Sequence, residues 1–318
     1  MYIGIDLGGT NIAAGLVNEN CEIIAKKSIP THAERPVAEI VADMASLARE
    51  LAAEAGLKDS DIRWVGIGAP GTVDAKNGVI VYANNIGFLN TPVAELFRTH
   101  FDVPVYLGND ANCAALGEAY AGAAKGCDSA VMITLGTGLG GGIIINHRIY
   151  AGFNGAGGEL GHMVIVKDGV PCTCGRKGCW EAYSSATALI RMTVEAMQRD
   201  TEKKSLLWEM TGGIDKVSGK SAHAAAARGD AVAKGVTTLY EEYLASGIAN
   251  IINIFQPEVL CIGGGVSHEG DNLLNPLKEL VAKEVYTRSG EQTQLKIATL
   301  GNNAGIVGAA YYAARHSA

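Results

Sequence analysis

The sequence predicts an α/β protein of two related domains. Apolar strand-like runs alternate with stretches of helical period along its 318 residues, a length of about two domains at ~150 residues each. Two openings, "IDLGGTN" at residues 5–11 and "TLGTGLGGG" at residues 134–142, repeat one unit, a glycine-rich turn after an apolar run. A third turn, Gly263-Gly264-Gly265, closes another apolar run near the end.

Three β-like runs come first, at residues 2–6, 12–17 and 21–29, separated by short turns as in a meander. Ile40, Met44, Leu47, Leu51 and Ala55 then step at helical spacing, with Gly56 as the C-cap. Residues 64–68 form a buried strand. Thr91 and Pro92 fit an N-cap and a first-turn proline for a short helix to Phe101. Residues 103–107 make another strand, ending at Gly108-Asn109-Asp110 just before a helix. The second half restarts with a strand at 130–135, a glycine turn and a return at 143–146. A long helix follows at 231–255, stopped by Pro257, then a strand at 259–262 and a final helix at 304–314. No low-complexity linker interrupts the chain, so the two halves are expected to pack closely around an active site.

Composition narrows the class. Apolar residues make up 48% and charged residues 19%, which suits a globular chain and not a disordered one. The net charge of -7, without a Lys/Arg cluster, argues against nucleic acid as a partner. The N-terminus has no basic region and meets Asp6 at once, unlike a signal peptide. The longest charge-free run, 129–146, is broken by glycines and cannot form one transmembrane helix. A cytoplasmic protein without membrane contact is expected. In that reducing compartment, Cys172, Cys174 and Cys179 within eight residues point to metal and not to disulfides.

The glycine turns suit phosphate. Asp6 stands at a strand end before Gly8, Gly9, Thr10 and Asn11, and glycine lets backbone N–H groups approach an anion closely. Asp6 can hold Mg²⁺ through water and Thr10 can donate to a phosphate; an ordinary hairpin turn is the alternative. Thr137 and Gly138 repeat the arrangement, without the Lys-[Ser/Thr] of a P-loop. Gly264 and Gly265 end a strand where a base and ribose can lie on flat backbone.

Asp110, flanked by Asn109 and Asn112, has two readings from the residues alone. It is either a helix cap or the base that takes a proton from an attacking hydroxyl. Asn85, taken alone, reads as a turn residue.

The metal signal is the most specific. His162 followed by Cys172, Cys174 and Cys179 makes a Cys₃His set, a complete tetrahedral shell for one structural Zn²⁺. Glu159 and Glu181 flank it and suit a sugar's vicinal hydroxyls. If one ring nitrogen of His162 binds zinc, the other can face a hydroxyl.

Together these residues resemble the ATPase domain shared by actin, hexokinases and related sugar kinases. Within that group the chain is similar to the ROK family over nearly its whole length. The resemblance implies an actin-like (ribonuclease H-like) fold of two related domains with a nucleotide cleft between them. It divides the chain into a smaller domain of residues 1–117 plus 303–318 and a larger domain of 118–302 that carries the zinc knuckle. It implies that Asp6, Gly8, Gly9, Thr10, Asn11, Thr137 and Gly138 bind the phosphates of ATP, with Gly264 and Gly265 at the adenosine. Asp110 of "NDAN" becomes the catalytic base, and Asn109, Asn85, Gly71, Glu159, His162 and Glu181 contact the sugar. Phe88 stands where the family usually shows Trp, and Ala186 where many relatives carry Gly. The stretch "GCWEAYSSATAL" is most similar to the glucokinases of the family, which implies ATP-dependent 6-phosphorylation of glucose and a homodimer. N-acetylmannosamine and fructose kinases share the core. A sugar-responsive repressor of the family, which carries a helix-turn-helix extension, fits less well with a first strand at Tyr2.

Overall fold

The structure is a computed structural model that describes Met1–Ala314; residues 315–318, the end of the expected 303–318 segment, lie outside the described residues. In chain order the first elements are β1 (Tyr2–Leu7), β2 (Asn11–Val17), β3 (Ile23–Pro30) and α1 (Val37–Glu54). Next come β4 (Trp64–Ala69), β5 (Thr72–Asp74), β6 (Val79–Ala83), β7 (Phe88–Thr91), α2 (Val93–Arg98), β8 (Val105–Asn109) and α3 (Asp110–Ala121). The middle of the chain holds β9 (Ala130–Leu135), β10 (Leu139–Ile145) and β11 (Arg148–Ile149). A helical stretch follows: α4 (Glu181–Ser184), α5 (Ala186–Arg199), α6 (Leu206–Thr211), α7 (Ser221–Ala227) and α8 (Ala231–Phe255). The chain closes with β12 (Val259–Gly263), α9 (Asp271–Glu284), β13 (Gln294–Ile297) and α10 (Ala304–Ala314).

Two compact units result. The first comprises Met1–Met132, Gly141–Gly158 and the chain from Ala298 onward; the second comprises Ile133–Gly140 and Glu159–Ile297. The borders at 132/133 and 140/141 fall inside β9 and β10.

The first unit is built on a five-stranded sheet of order β3-β2-β1-β4-β8. The meander is antiparallel, and β4 and β8 add in parallel, as crossovers through helices require. β1, β2 and β4 are mostly buried, while the edge strand β3 alternates toward solvent; Ile3, Ile5, Leu7, Ile12, Leu16, Val65, Ile67 and Leu107 pack with α1 in one core. On the opposite side α10 lies directly on the sheet. Gly4 and Gly66 are register partners of β1 and β4. A Cβ on Gly4 would stand 1.9 Å from the Ile306 carbonyl oxygen, and one on Gly66 would stand 1.8 Å from that of Ala309. Two glycines side by side therefore bring a helix backbone into contact with a strand backbone. The return of the chain end is fixed by Glu118, a buried side chain of α3. Its carboxylate accepts N–H bonds from Ala123 (2.7 Å), Thr299 (3.1 Å) and Leu300 (2.7 Å).

A small antiparallel sheet, β5-β6-β7, also belongs to this unit. It corrects the reading of Thr91 as a helix cap. Thr91 pairs with Ile80 in the ladder, Pro92 occupies the cap position, and the helix ends at Arg98 and not at Phe101.

The second sheet has the order β11-β10-β9-β12-β13, with β12 and β13 parallel. In the second unit α8 is the central helix. Asp230 caps it by accepting from Ala233 N–H (2.7 Å), and Gln256 ends it in the left-handed conformation before Pro257. The expected helices 231–255 and 304–314 are found at those bounds.

Candidate functional site

In the first unit, the turn between β1 and β2 is held in shape by its neighbours. Gly8 N–H donates to the Asn11 carbonyl (3.0 Å), while buried Thr31 donates its hydroxyl to the Gly8 carbonyl (2.6 Å) and its N–H to that of Thr10 (2.8 Å). The turn's backbone carbonyls are thus engaged from behind, and Thr10 and Asn11 remain exposed. Gly9 lies against Asn85: a Cβ would come within 3.3 Å of the Asn85 amide nitrogen.

Asp6 sits at the end of β1 with Gly305 of α10 against it, where a Cβ would stand 2.6 Å from Oδ2. Burial, and next the negative charge of Asp110, pushes the Asp6 carboxyl up to about 6. A buried carboxyl whose ionisation is opposed by a second carboxylate is a natural place for a cation.

Asp110 opens α3 at the end of β8. The helix-cap role falls to its neighbour: Asn109 is the N-cap, its Oδ1 accepting from Asn112 N–H (3.1 Å). The same Asn109 amide donates to the Gly71 carbonyl (3.1 Å), tying the turn after β4 to the start of α3. Gly71 needs its glycine twice over. Its φ is +79°, and a Cβ would stand 2.1 Å from the Tyr82 carbonyl oxygen. Asp110 Oδ1 accepts the Ala111 N–H at 2.7 Å. Asp6, Gly9, Asn85, Gly71, Asn109 and Asp110 are thus gathered by local contacts within one unit.

The second unit gathers the other set. His162 closes a short 3-10 turn whose first residue follows Glu159, and His162 N–H donates to the Glu159 carbonyl (3.1 Å). Cys172, Cys174 and Cys179 lie on a tight reversal: Cys172 N–H bonds the Arg176 carbonyl (2.8 Å), and Gly175 and Gly178 have φ of +87° and +81°. The ligand atoms of His162 and the three cysteines all lie within 4.8 Å of one another. Cys172 Sγ is 3.7 Å from His162 Nδ1, and Cys174 Sγ is 3.7 Å from Cys179 Sγ. Nδ1 is therefore the metal-side nitrogen, and Nε2 has no hydrogen-bond partner among the described residues. Burial and the neighbouring thiols push Cys179 up to about 12. Three thiols and an imidazole nitrogen gathered around one point make a complete tetrahedral shell, so the donor set fits one structural zinc.

Glu181 begins α4 two residues beyond Cys179. Its Oε2 accepts Leu139 N–H (2.8 Å), and its Oε1 lies 3.5 Å from Thr173 Oγ1 and 3.8 Å from Cys172 Sγ. Leu139 ends the second glycine turn, whose Thr137 and Gly138 lie between β9 and β10. Gly264 packs on the end of β9 with φ of +85°, where a Cβ would stand 2.5 Å from Leu135 N. Beside Gly265, by contrast, the space is open.

Several neighbours escaped sequence reasoning. Gly305 beside Asp6, Thr31 behind the first turn, and Ala186 and Thr187 beside the second carry no local signal. Their roles come from contacts with residues far away in the chain.

Comparison with known proteins points to one family, in which both kinases and a xylose repressor of Bacillus subtilis, 31% identical over 77% of this chain and 59% of that protein, are similar to it. The model of the ROK family matches residues 2–316. A glucokinase of Halalkalibacterium halodurans is 38% identical over 308 residues, spanning 96% of this chain and 93% of that protein. The crystal structure of a ROK family glucokinase from Streptomyces griseus, in complex with glucose and AMPPNP, matches with TM-score 0.82 at 36% identity, covering 99% of both chains. A ROK hexokinase from Thermus thermophilus also matches with TM-score 0.82, at 32% identity over 100% of this chain and 99% of that one. The fold is thus the α/β, actin-like ATPase fold of ROK sugar kinases. Among the described residues no helix is long and apolar enough to cross a membrane.

Proposed function

This chain belongs to the ROK family and is a sugar kinase of it, and from that premise we propose that it transfers the γ-phosphoryl group of ATP to the 6-hydroxyl of glucose with Asp110 as general base. The observation that carries the assignment of the base is the division of labour at the start of α3. Asn109 caps the helix and fixes the Gly71 turn, so Asp110 is not needed as the N-cap, and its charge acts on Asp6.

Phosphoryl transfer asks mainly for positioning and charge neutralisation. Asp110 accepts the hydroxyl proton as the oxygen attacks the γ-phosphorus. Asp6 holds the Mg²⁺ of Mg·ATP through its water shell. Gly8, Gly9, Thr10 and Asn11 in one turn, and Thr137 and Gly138 in the other, donate backbone or hydroxyl hydrogens to the phosphate oxygens, which need no proton bookkeeping. Gly264 and Gly265 take the adenosine. Asn85, Asn109, Glu159, His162 and Glu181 bind the sugar hydroxyls, with the Gly71 turn alongside. His162, Cys172, Cys174 and Cys179 would hold a structural zinc, and His162, with Nδ1 on the cysteine side, would present Nε2 to a hydroxyl.

A coupled assay of ADP release over glucose, mannose, fructose, N-acetylmannosamine and N-acetylglucosamine tests the substrate. Glucose is expected to give the highest kcat/KM. A tenfold preference for another of these sugars overturns the assignment of glucose, and no ADP release with any of them overturns the kinase reading.

A further inference from the structure

We propose that residues 181–187 form a brace that joins the zinc knuckle to the second glycine turn, with Thr187 as a positioning residue for Thr137. The proposal rests on the reading of that turn as a phosphate binder. Three residues of the turn are held from this one segment. Leu139 N–H donates to Glu181 Oε2, Ala186 N–H donates to the Gly136 carbonyl, and Thr187 Oγ1 donates to the Thr137 carbonyl, each at 2.8 Å. The remaining residue, Gly138, makes room for the brace: a Cβ there would stand 2.4 Å from Glu181 Oε2.

The brace is itself anchored. Trp180, fully buried, donates Nε1 to the Tyr243 carbonyl of α8 (3.1 Å), and its ring sits where a Cβ on Gly247 would be, 2.0 Å away. Tyr240 of the same helix donates its hydroxyl to the Ser184 carbonyl (2.7 Å). At its near end the brace leaves the knuckle directly, since Cys179 is two residues before Glu181, and Glu181 Oε1 faces Thr173 and Cys172.

A turn with glycines at 136, 138 and 140 has little stiffness of its own. Ordering it only when ATP arrives would subtract that entropy from binding. The brace orders it beforehand, so the metal serves the nucleotide turn as well as the sugar residues.

The test uses Thr187→Val, an exposed position where the change removes only the hydroxyl bond to Thr137, with Thr187→Ser as the control that restores it. Hydrogen–deuterium exchange of the amides at 136–139 is expected to quicken in Thr187→Val and to return in Thr187→Ser. The KM for ATP should rise ~2- to 12-fold, the worth of one neutral hydrogen bond, while the KM for sugar stays within about twofold. Wild-type protein stripped of zinc and still folded should show the same faster exchange over 136–139. Unchanged exchange in Thr187→Val overturns the positioning role, and unchanged exchange on zinc removal overturns the link to the knuckle. If Thr187→Val does not fold, the zinc-stripped wild type decides. The exchange readout is independent of catalysis. A chain that releases no ADP with any sugar but shows the expected exchange therefore contradicts the kinase reading alone.

Discussion

Replacing Asp6 by Asn should make the unliganded protein more stable while removing most of its activity. The Asp6 carboxyl has an ordinary value of 3.8 and is pushed up to about 6 by burial and by Asp110. Between those two pH values the folded chain keeps a proton that the unfolded chain has lost, so stability falls as pH rises. Above about 6 the whole cost is present. A shift of ~2 units corresponds to ~3 kcal/mol of destabilisation. Asn carries no charge to desolvate and none to oppose Asp110, so Asp6→Asn should recover up to that amount at pH 8. At about 2 °C per kcal/mol for a chain of this size, the melting temperature should rise by up to ~6 °C. The gain should shrink as the pH is lowered toward 4, where the folded carboxyl is protonated and the unfolded one is approaching its own value of 3.8. Mg·ATP should narrow the difference, because the cation compensates the wild-type charge. Thermal unfolding of both proteins from pH 4.5 to 8, with and without Mg·ATP, makes the comparison. An Asp6→Asn variant no more stable than wild type at pH 8, or equally stabilised at both ends of the range, would refute the reasoning.

Three further outcomes follow from the same geometry. Gly138→Val forces the Glu181 carboxylate off Leu139 N–H, so it should raise the KM for both ATP and sugar, whereas Gly265→Ala, which meets open space, should raise only that for ATP without lowering the melting temperature; initial-rate kinetics with each substrate varied separates them. In Glu118→Gln the amide NH₂ must face at least one of the N–H donors at 118's carboxylate, which leaves a buried donor unpaired, costs ~1–3 kcal/mol and lowers the melting temperature by ~2–6 °C with sugar KM unchanged. Elemental analysis of protein purified without added metal should find one zinc per chain, and Cys174→Ser, measured well below its melting point, should bind both less zinc and less sugar.

What the sequence revealed was local. The helix at 231–255 was legible from its own segment and its Pro257 stop, whereas its Asp230 cap is a finding of the structure. The Cys₃His set was equally legible, since three of its ligands fall within eight residues and a knuckle brings them together without long-range help. Residues whose roles depend on distant backbone were not. Thr91 beside Pro92 has the look of a cap, yet its backbone is used by Ile80 in a ladder, a pairing that outweighs local preference. Gly305 and Asp6 meet only because α10 returns across Gly4 and Gly66, and nothing near either residue records that. Thr187 is an ordinary helix-start threonine until the turn at 136–139 is placed against it.

The central claim, that this sugar kinase uses Asp110 as its base, is tested most directly by Asp110→Asn with glucose and ATP. The amide keeps the size of the carboxylate and its oxygen can still accept the Ala111 N–H, but it cannot accept the proton. Turnover should fall by ~10²- to 10⁴-fold, the usual worth of a general base, while calorimetry finds glucose affinity within about threefold of wild type. A variant that keeps more than about a tenth of wild-type turnover contradicts the account.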